Sequence, residues 1–163
     1  MLRSSARKPQ AQAARRAPLR QSAGLLCYRT HRANRALGAP EIFLVHPGGP
    51  FWRNKDAHAW SIPKGELEEN EAPLDGARRE LIEETGVDLA GVPLRYVASE
   101  LFSAGEDDLQ VTVTFVADAP LGAEPSARSD ELAEVGWWTL AEVETDPRCP
   151  TWLPGLIRRA AAP

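Results

Sequence analysis

Short apolar runs, separated by polar or turn-forming residues, recur along the chain from Ser22 onwards. Runs of this length and composition are typical of buried strands. The pattern predicts strands at residues 22–30, 41–47, 94–102, 111–119 and 134–140. The first two runs are joined by a polar segment that contains Gly38 and Pro40, so we expect them to form a hairpin.

A helical period interrupts the strand pattern in the middle of the chain. Pro73 suits a first helical position and Gly86 suits a helix terminator, which predicts a helix over residues 73–85. Apolar residues recur there in steps of three and four, and they predict a core-facing stripe of Leu74, Ala77, Leu81, Ile82 and Thr85. Residues 141–144 and 151–162 also have helical character.

Charge is distributed unevenly along the 163 residues. Residues 1–21 contain six Lys or Arg and no acid, so residues 22–163 keep 13 of the 19 basic residues and all 23 acids, a net charge of −10. We expect a disordered basic tail over 1–21 and a single folded domain over 22–163. An organellar transit peptide is the alternative interpretation of the tail. The acidic body argues against a broad surface for duplex nucleic acid.

Two further features bear on the compartment. No apolar run approaches the roughly 20 residues needed to span a bilayer. Cys27 and Cys149 are too few for a disulfide framework. We therefore expect a cytoplasmic protein without a membrane partner, present as a monomer or homodimer.

The predicted helix carries a dense cluster of carboxylates. Glu80, Glu83 and Glu84 fall at i, i+3 and i+4, so they share one helix face and repel one another. Arg79 reaches Glu83 four residues on, but one arginine does not neutralise three carboxylates. A hard divalent cation such as Mg²⁺ can neutralise them, since it binds carboxylates, waters and phosphates. A solvated acidic surface is the alternative interpretation.

The spacing of the whole segment from Gly65 to Val87 resembles the Nudix signature. That signature runs Gly, five spacers, Glu, seven spacers, Arg, Glu, an aliphatic residue, any residue, Glu, Glu, any residue, Gly and an aliphatic residue. The chain meets every fixed position, with Gly65, Glu71, Arg79, Glu80, Leu81, Glu83, Glu84, Gly86 and Val87. The sequence therefore resembles a Nudix hydrolase, over about residues 22–162.

The resemblance implies an α+β fold, an α/β/α sandwich with a mixed, curved sheet between helices. It also implies hydrolysis of a nucleoside diphosphate linked to another group, with Mg²⁺ or Mn²⁺ as the cofactor. Carried onto this chain, the implied metal ligands are Glu80, Glu83, Glu84 and the carbonyl oxygen of Gly65. The resemblance assigns Arg79 and Glu71 to holding those carboxylates in position.

Hydrolysis of this kind is helped by a general base that takes the proton of the attacking water, whose pKa a bound cation lowers. The resemblance places the base on the signature helix, where we choose Glu83, or on a later loop, where Glu131 stands. The rival candidates are Glu100, Glu106, Asp107 and Asp108. A solvent-exposed loop acid is the alternative interpretation of Glu131.

Residues upstream of the helix are candidates for contacts with a nucleotide. Lys64 resembles the lysine that many enzymes acting on diadenosine polyphosphates carry before the signature glycine. Phe51 and Trp52 offer faces for stacking a base, and Arg53 offers a phosphate contact. Residues 103–105 contain neither the tyrosine of the diadenosine-polyphosphate subgroup nor the proline of the ADP-ribose subgroup. The substrate therefore stays open between a nucleoside triphosphate and a dinucleoside polyphosphate.

Two other functions are compatible with the same resemblance. A Nudix-like module that binds a nucleotide without hydrolysing it has no need of the complete set of Arg79, Glu80, Glu83 and Glu84. An isomerase of this fold is the second possibility, but no catalytic cysteine fits it, because Cys27 is predicted to be a buried strand residue. We therefore expect a metal-dependent hydrolase that cleaves a pyrophosphate bond in a small nucleotide by in-line attack of water.

Overall fold

A computed structural model describes residues 18–30, 39–103, 108–117, 121–122 and 124–162 of the chain. The strands are β1 (Arg20–Leu26), β2 (Tyr28–Arg29), β3 (Glu41–Pro47), β4 (Lys64–Glu66), β5 (Leu94–Ser103), β6 (Leu109–Ala117) and β7 (Leu132–Thr139). The helices are α1 (Pro73–Thr85), α2 (Leu140–Thr145) and α3 (Leu153–Ala161). The helix predicted over 73–85 is confirmed with its bounds, and β3 occupies the predicted residues 41–47.

The strands form two sheets. The larger sheet has the order β4-β1-β6-β5. Strands β1 and β6 are parallel, whereas β4 is antiparallel to β1 and β5 is antiparallel to β6. The smaller sheet has the order β2-β3-β7 and is antiparallel. The expected mixed sheet is therefore confirmed, and a second, antiparallel sheet lies beside it.

The strand predicted at residues 22–30 is in fact two strands. The chain leaves the larger sheet after Leu26 and enters the smaller one at Tyr28, with Cys27 between them. The backbone carbonyl of Cys27 accepts a hydrogen bond of 2.9 Å from the N–H of Phe43. The predicted hairpin is therefore wrong for β1 and holds only for the short pairing of β2 with β3.

Strand β1 begins at Arg20, two residues before the expected start of the folded domain. Arg20 and Gln21 pair in register with Gln110 and Val111 of β6. The Arg20 guanidinium also bonds to Glu66 and Asp108. The folded part of the chain therefore begins earlier than its composition indicates, whereas the rest of the predicted tail, residues 1–17, lies outside the described residues.

Two clusters of buried residues lie on opposite faces of β1 and β3. Alternate residues of a strand point to opposite faces, so Leu25 and Phe43 pack on the α1 side while Leu26 and Leu44 pack on the α3 side. Both faces of these strands are covered, which explains their unbroken apolar sequence. The layers are those of the predicted α/β/α sandwich. Among the described helices, none is long and apolar enough to cross a membrane.

Helix α1 presents a different face to the core from the one expected. Its buried residues include Ala77, Leu81, Glu84 and Thr85, at i, i+4, i+7 and i+8. Leu74 and Ile82, which were expected in the core, are exposed. The prediction for these two residues is wrong because the buried face of α1 is centred on the line through Ala77, Leu81 and Glu84. A carboxylate thus occupies a regular position of the core-facing stripe.

Candidate active site

A cavity of about 690 Å³ opens between the two sheets. Its wall is built from β3, β4, β6 and the end of β5, from the loop that follows β3, from the start of β7 and the residues before it, and from the residues that precede α3. The predicted site residues that line it are Phe51, Trp52, Lys64, Glu84 and Glu131. The structure therefore brings together residues that are far apart in the sequence.

Arg79 is the centre of a hydrogen-bond network on α1. Its guanidinium donates to both carboxylate oxygens of Glu71, each at 2.8 Å. It also donates to Glu80 at 2.7 Å and to Glu83 at 3.1 Å, the second being the expected i, i+4 pair. A further bond of 3.0 Å reaches the backbone carbonyl of Glu66 in β4. Arg79 therefore joins the helix, the preceding loop and the edge of the sheet.

This network shifts the pKa values of Glu71 and Arg79 in opposite directions. The hydrogen bonds from Arg79, together with one from the backbone N–H of Glu68, lower the pKa of Glu71 from 4.5 to about 2. In turn, the carboxylates of Glu71 and Glu80 raise the pKa of Arg79. Glu71 and Arg79 are thus a permanently charged pair that holds Glu80 and Glu83 in place.

Gly65 is required by close packing. A Cβ atom added to Gly65 would overlap the carboxylate of Glu80, so that carboxylate lies directly against the backbone of β4. Burial raises the pKa of Glu80 despite its bond to Arg79. The Gly65 position is therefore a backbone cradle for a partly desolvated carboxylate.

Glu84 is the most unusual residue of the site. It is only 7% exposed, and its Oε2 atom has no hydrogen-bond partner. Burial, followed by the charge of Glu80, raises the pKa of Glu84 to about 8. The backbone N–H of Lys64 bonds to the carboxylate and offsets only part of this effect. An isolated charge of this kind is costly unless a cation or proton accompanies it.

Lys64 lies beside Glu84 in the cavity wall. Burial lowers the pKa of Lys64, whereas the charges of Glu84 and Glu80 act in the opposite direction. No salt bridge within 4.0 Å joins its ammonium group to the carboxylates of the described residues. The ammonium is therefore free to meet an anion in the cavity.

Glu131 is held opposite α1 by a loop that docks on the end of the helix. The N–H of Arg128 donates to the carbonyl of Glu84 at 2.9 Å, and the Glu131 carbonyl accepts from Gly48 at 2.6 Å. Gly86 adopts a positive φ of 73° and packs under the Arg128 guanidinium, where no side chain fits. The negative charge of Glu131 acts on the pKa values of both Glu80 and Glu84. Glu131 therefore faces the same space as the helix carboxylates.

Other predicted residues lie elsewhere. Glu83 is exposed and paired with Arg79, and neither it nor the exposed Arg53 belongs to the cavity lining. Among the rival bases, Glu100 pairs with Arg159 and Asp108 pairs with Arg20. The remaining two, Glu106 and Asp107, lie outside the described residues.

Several lining residues were missed by the sequence reasoning. They are Ser61, Phe102, Gln110, Thr112, Asp130 and Trp152. Phe102, Gln110 and Thr112 come from β5 and β6, whose register fixes their relative positions, and the others lie outside the strands, with Trp152 directly before α3. No local motif marks them, although the alternation along β6 does place Gln110 and Thr112 on one face.

The oxygen atoms that the site leaves available bear on whether it can hold a divalent cation. Among the described residues, no three or more His, Cys, Asp or Glu side chains are grouped to hold an ion by themselves. Arg79 holds Glu80 and Glu83, while the unpartnered oxygen of Glu84 and the backbone at Gly65 remain. Mg²⁺ commonly takes only one or two carboxylates and fills its shell with water and phosphate. These donors therefore fit such an ion.

Fold and site together define a sandwich domain whose carboxylate-bearing helix follows a glycine at the sheet edge. The chain belongs to the Nudix family, since the family model described as NUDIX domain matches residues 18–159. A solved C. elegans Ap4A hydrolase complex has a TM-score of 0.69 at 19% identity, covering 86% of this chain and 94% of that one. That likeness confirms the expected fold.

Two relatives are more similar to this chain in sequence than the solved hydrolase is. An RNA pyrophosphohydrolase of Bartonella henselae is 40% identical over 70 residues, which are 43% of this chain and 37% of that protein. A Mycobacterium tuberculosis protein with the provisional name 8-oxo-dGTP diphosphatase 3 is 32% identical over 145 residues, which are 87% of this chain. The chain spans 37% and 62% of the lengths of these two relatives.

Proposed function

We propose that the protein is a divalent-metal-dependent hydrolase that cleaves a pyrophosphate bond in a small nucleotide, either a nucleoside triphosphate or a dinucleoside polyphosphate. The observation that carries the proposal is the buried Oε2 atom of Glu84, which has no hydrogen-bond partner in the described part of the chain and lies in a cavity beside Lys64. The names of the two sequence relatives, both of which refer to pyrophosphate chemistry, support it.

The residues proposed to hold the cation are Glu80, Glu83, Glu84 and the carbonyl of Gly65. Mg²⁺ or Mn²⁺, when bound, supplies charge neutralisation and activates water for attack on phosphorus. Burial of Glu84 and Glu80 supports this role, because it makes their charged forms costly in the absence of a counterion. Glu83 shares a helix face with Glu80, so a change of its side-chain rotamer would turn its exposed carboxylate towards the other ligands.

The remaining charged residues take complementary roles. Arg79 and Glu71 orient the ligand carboxylates through their paired bonds. The Lys64 ammonium binds a phosphate oxygen of the substrate, because its burial strengthens a contact with an anion. Glu131 lines the cavity and accepts the proton of the attacking water, with Glu83 the other candidate base.

The loop after β3 is proposed to contact the nucleoside at the mouth of the cavity. Phe51 and Trp52 line this edge, with ring centroids 5.3 Å apart. Arg53 follows them and is exposed, so it suits an outer phosphate better than one within the cavity.

A product-release panel tests the proposal. Nucleoside triphosphates, oxidised nucleotides, diadenosine polyphosphates, ADP-ribose and dinucleotide cofactors are incubated with the full chain, with and without Mg²⁺, and product masses locate the cut. We expect turnover of at least one compound that chelation abolishes. Binding of a nucleotide without turnover of any compound would favour the non-hydrolytic module instead.

Two variants assign the roles. Glu84→Gln should abolish turnover and weaken binding of Mg²⁺, because a neutral amide does not balance the ion's charge. Glu131→Gln should slow turnover by about 10²–10⁴-fold while it leaves Mg²⁺ binding nearly unchanged, as expected for loss of a general base. Unchanged turnover in Glu131→Gln, with a matching loss in Glu83→Gln that leaves Mg²⁺ binding unchanged, would move the base to Glu83.

A further inference from the structure

A second aromatic pair forms the inner wall of the cavity. Phe102, near the end of β5, and Trp152, just before α3, have ring centroids 5.4 Å apart at an interplanar angle of 66°. Both rings are partly buried and both line the cavity. The pair therefore offers an aromatic surface to whatever occupies the cavity.

An uncommitted amide lies beside this pair. Gln110 of β6 is the register partner of Phe102, so the two side chains are neighbours on one face of the sheet. The Gln110 side chain also lines the cavity and makes no hydrogen bond within the described part of the chain. An amide has both donors and an acceptor, which is the combination that pairs with the edge of a nucleobase.

The inner wall is held more firmly than the outer one. Trp152 packs against the buried cluster on the α3 side, and the Arg159 to Glu100 ion pair ties α3 to β5. Phe51 of the outer pair is 67% exposed, and the Lys55 ammonium lies 3.4 Å from the centre of its ring. One face of Phe51 is therefore already covered by a cation, whereas the inner pair is partly desolvated and fixed in position.

The inner wall is also well placed relative to the charged end of the cavity. Lys64 is on β4 and Phe102 is on β5, at opposite edges of the larger sheet. Three strand spacings of about 4.8 Å separate them across the sheet, and the register places Phe102 four residues further along it than Lys64, so the two backbones are about 20 Å apart. A ligand with its phosphates at Lys64 and Glu84 would therefore extend its sugar and base towards Phe102, Gln110 and Trp152.

We propose that Phe102, Trp152 and Gln110 form the nucleobase subsite of this cavity, where the aromatic pair stacks on the base and the Gln110 amide hydrogen-bonds to its edge. The inference rests on the proposed function and deepens it, because it assigns base selection to the inner wall. The Phe51 and Trp52 loop then contributes less to recognition of the base.

Binding in EDTA tests the subsite without hydrolysis. AMP, GMP and ribose 5-phosphate are titrated calorimetrically into the full-length protein and into Trp152→Leu, with Trp52→Leu as the matched control at the mouth. We expect Trp152→Leu to weaken binding of the better nucleoside monophosphate about tenfold and to leave ribose 5-phosphate unchanged, because only a stacked base is affected. Trp52→Leu should weaken binding less than about threefold.

Two milder variants guard against simple loss of folding. Trp152→Phe keeps an aromatic ring and should restore most of the affinity. Gln110→Glu replaces an amide by a carboxylate on a partly exposed strand position and should change the ratio of AMP to GMP affinity at least about fivefold. Near-ultraviolet circular dichroism and thermal melting establish that each variant is folded before its binding is interpreted.

The outcomes separate the subsite from the proposed function. If the wild type binds no nucleoside monophosphate, or if Trp52→Leu loses base binding while the Trp152 and Gln110 variants keep it, the subsite is overturned. Trp152-dependent binding in a protein that hydrolyses nothing supports the subsite and rejects the proposed function. Hydrolysis with a KM and a base preference that do not respond to Trp152 or Gln110 supports the function and rejects the subsite.

Discussion

Arg79→Lys is the sharpest test of how the carboxylate network is held. The guanidinium forms a two-pronged pair with Glu71 and further bonds to Glu80, Glu83 and the carbonyl of Glu66. A lysine keeps the positive charge but lacks the planar fork of donors. The variant therefore separates the effect of charge from the effect of geometry.

The size of the effect follows from the bonds that lysine does not replace. Hydrogen bonds to charged groups contribute about 1.5–3 kcal/mol each, and the variant loses one prong of the fork to Glu71 and the bond to the Glu66 carbonyl. Because these bonds are coupled and the site is partly exposed, we expect a loss of about 2–3 kcal/mol. A chain of this size shifts its Tm by about 2–4 °C per kcal/mol, so the Tm should fall by about 4–12 °C.

The measurement uses thermal and urea unfolding in EDTA, so that metal binding does not contribute. Arg53→Lys, at an exposed position of the cavity-mouth loop, is the control and should lie within about 0.5 kcal/mol of the wild type. A double-mutant cycle with Glu71→Gln isolates the pair. Additivity within about 0.5 kcal/mol, or a Tm decrease below about 2 °C for Arg79→Lys, would show that the fork does not hold the site.

Acid titration gives the same variant a second readout. The pKa of Glu71 is lowered from 4.5 to about 2, so its contribution to stability is complete above pH 4.5. The unfolded chain binds the proton first as the pH falls, and the contribution is lost between pH 4.5 and about 2. Arg79→Lys should flatten this part of the stability profile, because the pKa of Glu71 returns towards its ordinary value. An unchanged slope would contradict the assignment.

Three further predictions concern other parts of the molecule. Truncation at residue 21 instead of residue 17 removes Arg20 from β1, so we expect a lower Tm for the shorter chain, and equal melting would contradict the early start of the strand. Gly65→Ala should displace the Glu80 carboxylate and reduce the Tm increase caused by Mg²⁺, whereas Gly155→Ala, which meets no atom within 4 Å, should leave it unchanged. Burial raises the pKa of Cys27 to about 12 and that of Cys149 to about 11, so a thiol reagent at pH 8 should label both slowly until denaturant is added. Rapid labelling of the native protein would show that these sites open readily.

Elements with strong local signals were predictable from the sequence. Pro73 and Gly86 define the limits of α1, and Gly86 does adopt the left-handed conformation of a helix end. Strand β4 gives no such signal, because three residues around Gly65 show no alternation and its pairing with β1 is a long-range event. The break at Cys27 has no local signal either, since Leu25, Leu26 and Cys27 form a continuous apolar run that is buried throughout.

The candidate site divides in the same way. The contact of Arg79 with Glu83 follows from helical spacing, and the contact with Glu71 accompanies the spacing of the family signature. Trp152 and Gln110 have no local pattern that distinguishes them from ordinary core or surface residues. Only the pairing of β5 with β6 and the packing of α3 bring them to the cavity. The residues of the proposed nucleobase subsite are therefore less predictable than residues of the helix.

Glu84 shows how the fold and the site depend on each other. Its position, seven residues after Ala77 and three after Leu81, is one that helical periodicity assigns to the core, and burial there normally selects an apolar side chain. Arg79 neutralises Glu80 and Glu83 but makes no bond to Glu84, so the buried charge is left to Lys64 and to whatever enters the cavity. A leucine at this position would pack better and would stabilise the helix against the sheet. The chain thus has a carboxylate where its own pattern favours an apolar residue, and such conflicts are expected where function, rather than stability, determines the residue.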